Sequence, residues 1–121
     1  MKSLLKIFMV AGVMVVSLAV LQDEAAADIQ LASWYGPGLE GNLTASGDVF
    51  EPYTEYTAAS LQYPFGTKLL VSYGGYSTVV TVTDSGPYVG GRELDLSQVA
   101  AEEIGLTYAG VDYVDVEVLS Y

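Results

Sequence analysis

The run Val80-Thr81-Val82-Thr83 ends on a single acid, Asp84, and then turns through Ser85-Gly86-Pro87. β-Branched residues favour a strand and Gly-Pro breaks it, so the carboxyl group of Asp84 stands at a strand's rim. Composition narrows the chemistry open to it. The 121 residues include no His and no Cys, which removes Ser/His and Cys/His nucleophile pairs and thiolate or imidazole metal sites. Any chemistry this chain performs is carboxylate chemistry, and no metal or cofactor is expected. Asp84 also has a plainer role open to it. Asp ahead of Gly and Pro often does no more than hold a turn by accepting from backbone amides.

The elements that must position Asp84 are short. Turn residues recur every ten or so positions, at Gly36-Pro37-Gly38, Ser46-Gly47-Asp48, Pro64-Phe65-Gly66, Gly74-Gly75, Gly86-Pro87 and Gly90-Gly91, with β-rich runs between them. That pattern marks a small barrel or sandwich. Lys68 to Tyr73 and Tyr76 to Thr83, joined by Gly74-Gly75, read as a hairpin with a two-residue loop. Val114-Asp115-Val116-Glu117-Val118 alternates with period two and reads as a last strand with one wet face. One helix is predicted from Ser97, whose hydroxyl suits an N-cap, to the residue before Gly105, a left-handed terminator. It sets Leu96, Val99, Ala100 and Ile104 on one face and Gln98, Glu102 and Glu103 on the other.

Ahead of these elements, Lys2 and Lys6 precede a nearly all-apolar stretch, Ile7 to Leu21, and Ala25-Ala26-Ala27 offers a small-residue cleavage site. Residues 1–27 therefore read as an export signal, and residues 28–121 as one domain. An uncleaved anchor is the rival reading, although the apolar run is short for a span and is soon followed by Asp23 and Glu24. The expected product is secreted or held at the cell wall, free of membrane after cleavage, and monomeric. Removing Lys2 and Lys6 with Asp23 and Glu24 leaves the net charge at −11. So acidic a domain is repelled by nucleic acid and anionic lipid, so neither is an expected partner.

Six blocks then occur in a recognisable order: Ala32-Ser33-Trp34-Tyr35-Gly36, Thr44-Ala45-Ser46-Gly47, Thr57-Ala58-Ala59, Pro64-Phe65-Gly66-Thr67, Asp84-Ser85-Gly86-Pro87-Tyr88 and Gly91-Arg92-Glu93-Leu94-Asp95-Leu96-Ser97. From about Leu31 to Val118 the chain resembles the rare lipoprotein A family. The resemblance implies a mainly β fold, a six-stranded double-psi β-barrel with one short packed α-helix and a groove across one face. It also implies a lytic transglycosylase acting on peptidoglycan glycan strands stripped of stem peptides. Of the family's functional residues, the Asp of its Asn-Asp-Arg-Gly-Pro block corresponds to Asp84. Three positions depart from the pattern: Ser60 stands for a His, Ser85 for an Arg and Asp48 for a Glu. Glu51 stands where the family often has Asp.

On this reading Asp84, Asp48 and Ser60 are the catalytic candidates. One carboxyl can suffice if the sugar's own N-acetyl group attacks the anomeric carbon. The acid then protonates the leaving oxygen and recovers a proton from the sugar's 6-hydroxyl as a 1,6-anhydro ring closes. The first step needs a carboxyl still protonated near neutral pH, which partial burial or a neighbouring acid supplies. Tyr35 and Tyr88 are the expected groove walls. Phe65 is assigned to packing, and Trp34 is open between the two roles. Asp95 is read as fixing the loop-to-helix junction, and Arg92 as pairing with an acid. A different class competes with the enzyme: an expansin-like binder that loosens wall glycans without cleaving them, favoured by the missing His and Arg. A third reading, a module docking on a wall-associated protein, has only the acidic surface behind it.

Overall fold

Six short strands close the chain into a barrel. The computed structural model describes residues 28–35 and 38–121, and the expected export signal lies outside them. The strands are β1 (Asp28–Tyr35), β2 (Thr57–Ser60), β3 (Lys68–Tyr73), β4 (Tyr76–Asp84), β5 (Leu94–Ser97) and β6 (Asp112–Ser120). Around the barrel they run β1-β5-β2-β4-β3-β6, with β6 pairing back onto β1. β1 with β5 and β2 with β4 are parallel, and the other four pairs are antiparallel. Parallel neighbours demand long crossovers. The segment between β1 and β2 is a further crossover, since those strands lie on either side of β5, and it passes close to the end of β4.

Ala32, Ala58, Leu69, Val71, Val80, Val82, Leu94, Leu96, Val114 and Val116 fill the interior, none more than 2% exposed. With period two, the residues between them face outward. The predicted hairpin forms as expected, with Gly74 and Gly75 at φ +59° and +89°, the positive values a tight hairpin loop requires. The last strand also follows its alternation, with Val114 and Val116 inward and Asp115 exposed.

The predicted helix is α1 (Gln98–Ile104), which packs Ala100, Ala101 and Ile104 onto the core. Gly105, at φ +80°, ends it and turns the chain into a second, four-residue helix, α2 (Leu106–Ala109). So short an element carries no periodicity to read. Ser97 occupies the N-cap position but does not cap. Its hydroxyl instead accepts from the Thr57 amide at 3.2 Å, because Ser97 also ends β5 and is fully buried. The crossover supplies another partner for the helix start: the Val99 amide donates to the Pro52 carbonyl at 2.9 Å, satisfying one of the open donors of the first turn.

A Cβ added at Gly105 would meet nothing within 4 Å, so Gly105→Ala tests backbone strain alone. It should lower unfolding free energy in urea by about 1 kcal/mol, against roughly 2–5 kcal/mol for Leu96→Ala in the core. An unchanged midpoint for Gly105→Ala would show that this junction does not need the left-handed conformation.

Candidate active site

The end of β4 breaks its own alternation. Val80 and Val82 point inward, and Ala58 of β2 pairs with Val82, yet the next pair is Ala59 with Asp84. One residue of β4 has been passed over. Such a bulge reverses the direction of the side chains beyond it. Simple alternation would have sent Asp84 inward with Val80 and Val82, and the bulge instead gives it Ala59's side of the sheet. Ala59 is buried but stands outside the interior cluster, so that side is the outer one.

Registers then align four residues across four strands. Ser33 pairs with Asp95, Asp95 with Ala59 and Ala59 with Asp84. Directly paired residues project to one face, so the row puts two carboxyl groups on the barrel's outer face with only a methyl group between them. Two strand spacings separate their backbones, about 10 Å.

The crossover holds the Asp84 end of this row. Residues 41 to 50 form a small ladder: the Gly41 amide donates to Phe50 O, Phe50 N to Asn42 O, and Thr44 N to Asp48 O, each at 2.8 Å. At its tip the Ala45 amide donates to Asp84 Oδ1 at 2.9 Å, and the Ser46 amide to Thr83 O at 3.1 Å. The Ser85 amide donates to the same Oδ1 at 2.9 Å. Among the described residues both hydrogen bonds to this carboxylate fall on Oδ1, and Asp84 is half-buried. At the base of the ladder Phe50 stacks on Tyr35, centroids 4.6 Å apart and planes 15° off parallel.

The other end of the row differs in environment. Asp95 Oδ1 accepts from the Ser33 hydroxyl at 2.8 Å. Burial is the main cause that holds its proton affinity above the ordinary carboxyl value; Asp84's charge adds to this, while the Ser33 bond and Arg92 oppose it. Tyr35, two residues beyond Ser33 and on the same face of β1, has a buried hydroxyl with no hydrogen-bond partner among the described residues. Burial first, then the charges of Asp84 and Asp95, push its ionisation well above the usual phenol range. A neutral phenol and two unlike carboxyl groups therefore share one outer patch. Pairs of acids in unlike surroundings are what general acid/base chemistry uses.

The sequence-predicted residues reach this patch unequally. Asp84 is central. Asp48 joins through Ser46, whose hydroxyl donates to Asp48 Oδ2 at 3.2 Å, and it lies exposed on the ladder. Ser60 is buried, and its hydroxyl accepts from the Gln62 amide at 3.0 Å rather than bonding Asp84. One face of Tyr35 is taken by Phe50, so the ring is packed instead of forming an open wall. Tyr88 is 78% exposed and lies against Gly86, where an added Cβ would come within 3.4 Å of its ring. Trp34 packs on the core.

Two residues gain a role that sequence reasoning did not assign. Asp95 belongs to the row, which only the strand register reveals. Phe65, assigned to packing, is 49% exposed and shares a hollow with Ser60 and Ser85. Its position in the turn Pro64-Phe65-Gly66 is the sign in the sequence that it stays out of the core.

The family model described as lytic transglycolase matches residues 28–116. The probable endolytic peptidoglycan transglycosylase RlpA of Synechocystis sp. is 43% identical over 103 residues, covering 79% of this chain and 32% of that protein. The endolytic peptidoglycan transglycosylase RlpA of Vibrio cholerae is 43% identical over 91 residues, covering 74% and 34%. The probable enzyme of that name from Aquifex aeolicus is 47% identical over 90 residues, covering 73% and 39%. The chain thus spans about a third of the length of these relatives. Among solved structures, the Streptomyces papain inhibitor superposes with a TM-score of 0.62 at 20% identity, over 75% of this chain and 92% of that one. That likeness is one of fold.

The Asp95 carboxyl binds its proton more tightly folded than unfolded. It therefore favours the fold in acid, and that gain is lost as pH rises past the ordinary carboxyl range. Asp95→Asn keeps an acceptor for Ser33 and cannot ionise, so its melting temperature should gain on the wild type as pH rises from about 4 to about 7. A difference independent of pH would refute this environment for Asp95. Tyr35→Phe keeps the stack and deletes the unpartnered hydroxyl, and it should equal the wild type or exceed it by up to about 1 kcal/mol. A clear loss would mean that the hydroxyl has a partner.

Proposed function

The chain belongs to the lytic transglycolase family, and from that premise we propose that it cleaves peptidoglycan glycan strands by lytic transglycosylation, with Asp84 as general acid and then base. The relatives' names supply the substrate class. The observation that carries the assignment to Asp84 is its hydrogen bonding: Oδ1 is held by two backbone amides, which fixes the carboxyl plane and leaves Oδ2 for the sugar.

In the proposed reaction Asp84 gives its proton to the glycosidic oxygen as the bond from that oxygen to the anomeric carbon breaks. The carbonyl oxygen of the adjacent N-acetyl group takes the vacated bond, forming a bicyclic cation. The sugar's 6-hydroxyl oxygen then attacks the anomeric carbon, the acetamido oxygen leaves, and the hydroxyl proton passes to the Asp84 carboxylate. The acid is regenerated, no water is consumed, and a 1,6-anhydro end remains. Asp95 stands on the same outer face, two strands from Asp84, and offers the sugar a second carboxyl group. Asp48 stiffens the ladder whose tip grips Asp84. Tyr88 offers an exposed ring for a pyranose face. Export by residues 1–27, action outside the membrane and work as a single copy belong to the same proposal.

Two observations favour the non-catalytic alternative, a wall-glycan binder. The two amides on Oδ1 are also what a carboxylate holding a turn would accept, and Ser60 gives Asp84 no hydrogen bond.

Asp84→Asn distinguishes the two. With glycan strands freed of stem peptides as substrate and mass spectrometry for 1,6-anhydromuramoyl ends as readout, the variant should lose about 10²-fold or more of the activity at an unchanged melting temperature. Retained turnover would exclude Asp84 as the acid, and equal loss of activity and stability would assign it to the turn.

A further inference from the structure

Val79 precedes Asp84 by five residues on β4, about 16 Å along the strand, and there a second hollow of about 360 Å³ is lined by Tyr56, Leu70, Ser77, Thr78, Val79 and Glu103. That volume is at the small end of the range for ligand sites. Its floor is the outer face of the barrel. Leu69, Val71 and Val80 are fully buried in the core, so Leu70 and Val79, which pair directly across β3 and β4, point outward. Val79 is 46% exposed and Tyr56 41%.

One wall is α1. Its Glu103 carboxylate accepts from the buried Thr78 hydroxyl through Oε1 at 3.1 Å, which fixes the group at the edge of the hollow. Among the described residues no hydrogen bond falls on Oε2. On the opposite side Leu70 pairs with Glu117, so the register sets a second carboxyl group on the same outer face, one strand spacing away at about 5 Å. The next outward pair, Ser72 with Asp115, adds a third. The described residues hold two bases, Lys68 and Arg92, and neither lines the hollow. Lys68 shares the outer face of β3, and its ammonium donates to Thr81 Oγ1 at 2.6 Å.

An aromatic ring, two aliphatic side chains and an oriented carboxylate have one complement among common ligand groups, a guanidinium on an aliphatic stem. Its plane stacks on a ring while its N–H groups meet a carboxylate, and its methylenes cover apolar surface. A lysine ammonium is a more strongly hydrated point charge and uses the ring less. Nucleic acid and anionic lipid are repelled by the net charge of −11. Arginine is carried by polypeptides, so the occupant is one.

We infer that this hollow docks an arginine from a basic segment of a partner protein, the guanidinium lying on Tyr56 and donating to Glu103 Oε2 while its methylenes cover Leu70 and Val79. Further cations on that segment meet Glu117 and Asp115. The inference does not rest on glycan cleavage, because no lining residue belongs to the Asp84 patch. A partner seated here holds the domain and leaves Asp84 uncovered.

The test is titration of the isotope-labelled full chain, at about 0.15 M salt so that diffuse attraction is screened, with the acetylated and amidated peptide Leu-Arg-Leu-Arg-Leu and with its Lys counterpart. The arginine peptide should shift the amides of residues 56, 77–79 and 103, and the lysine peptide should bind more weakly. Glu103→Gln keeps an acceptor for Thr78, and it should weaken the arginine peptide about fivefold, the upper end for an exposed ion pair. Tyr56→Leu keeps apolar bulk without the ring and should cost roughly 2- to 5-fold. Asp84→Asn removes the same charge outside the hollow, so its affinity should match the wild type. Equal weakening by Glu103→Gln and Asp84→Asn would reduce the binding to net charge and overturn the site. So would shifts scattered over the acidic surface, equal binding of the two peptides, or no binding at millimolar peptide.

Discussion

One residue passed over in the pairing of β4 with β2 decides where the acid points. In an unbroken ladder Asp84 would follow Val80 and Val82 into a core of aliphatic side chains. A carboxyl group there has no partner and costs several kcal/mol to leave unpaired. The bulge turns it onto the outer face instead. The row with Asp95 and the contact with the ladder tip both follow from that turn.

The outer face then treats its two acids differently. Asp84 is met by main-chain amides, while Asp95, also partly buried, is answered by one serine hydroxyl and a nearby guanidinium. Neither environment comes from its own strand alone. Burial at Asp95 and the stacking of Tyr35 on Phe50 both depend on neighbours far away in sequence, so the chemistry of the patch is a tertiary property. The unpartnered Tyr35 hydroxyl is the cost of that arrangement, and such groups are uncommon in folded proteins.

Local pattern and long-range register divide what could be read from the chain. The 68–83 hairpin and the last strand announce themselves by period two and paired glycines, and α1 by an apolar face ended at Gly105. These signals act over a few residues, and they survive folding unchanged. Asp84 could be singled out because strand composition stops abruptly beside it. The bulge could not be seen, since Val80-Thr81-Val82-Thr83 alternates without a break. Asp95 looked like a junction residue for the same reason: its neighbour in space, Ala59, is set by the β2–β5 register. Ser97 was correctly placed at the helix start, but its hydroxyl was claimed by β2, an instance of sheet pairing outcompeting a cap. Phe65 failed the rule that rings are core, because a turn flanked by Pro and Gly has no buried face to offer it.

Both grips on Asp84 Oδ1 come from peptide N–H groups, one of Ala45 and one of Ser85. Every residue type except proline supplies that group. The placement of the acid is therefore insulated from drift in the side chains at 45 and 85: either position can exchange its side chain, proline apart, and the carboxyl group keeps both of its anchors.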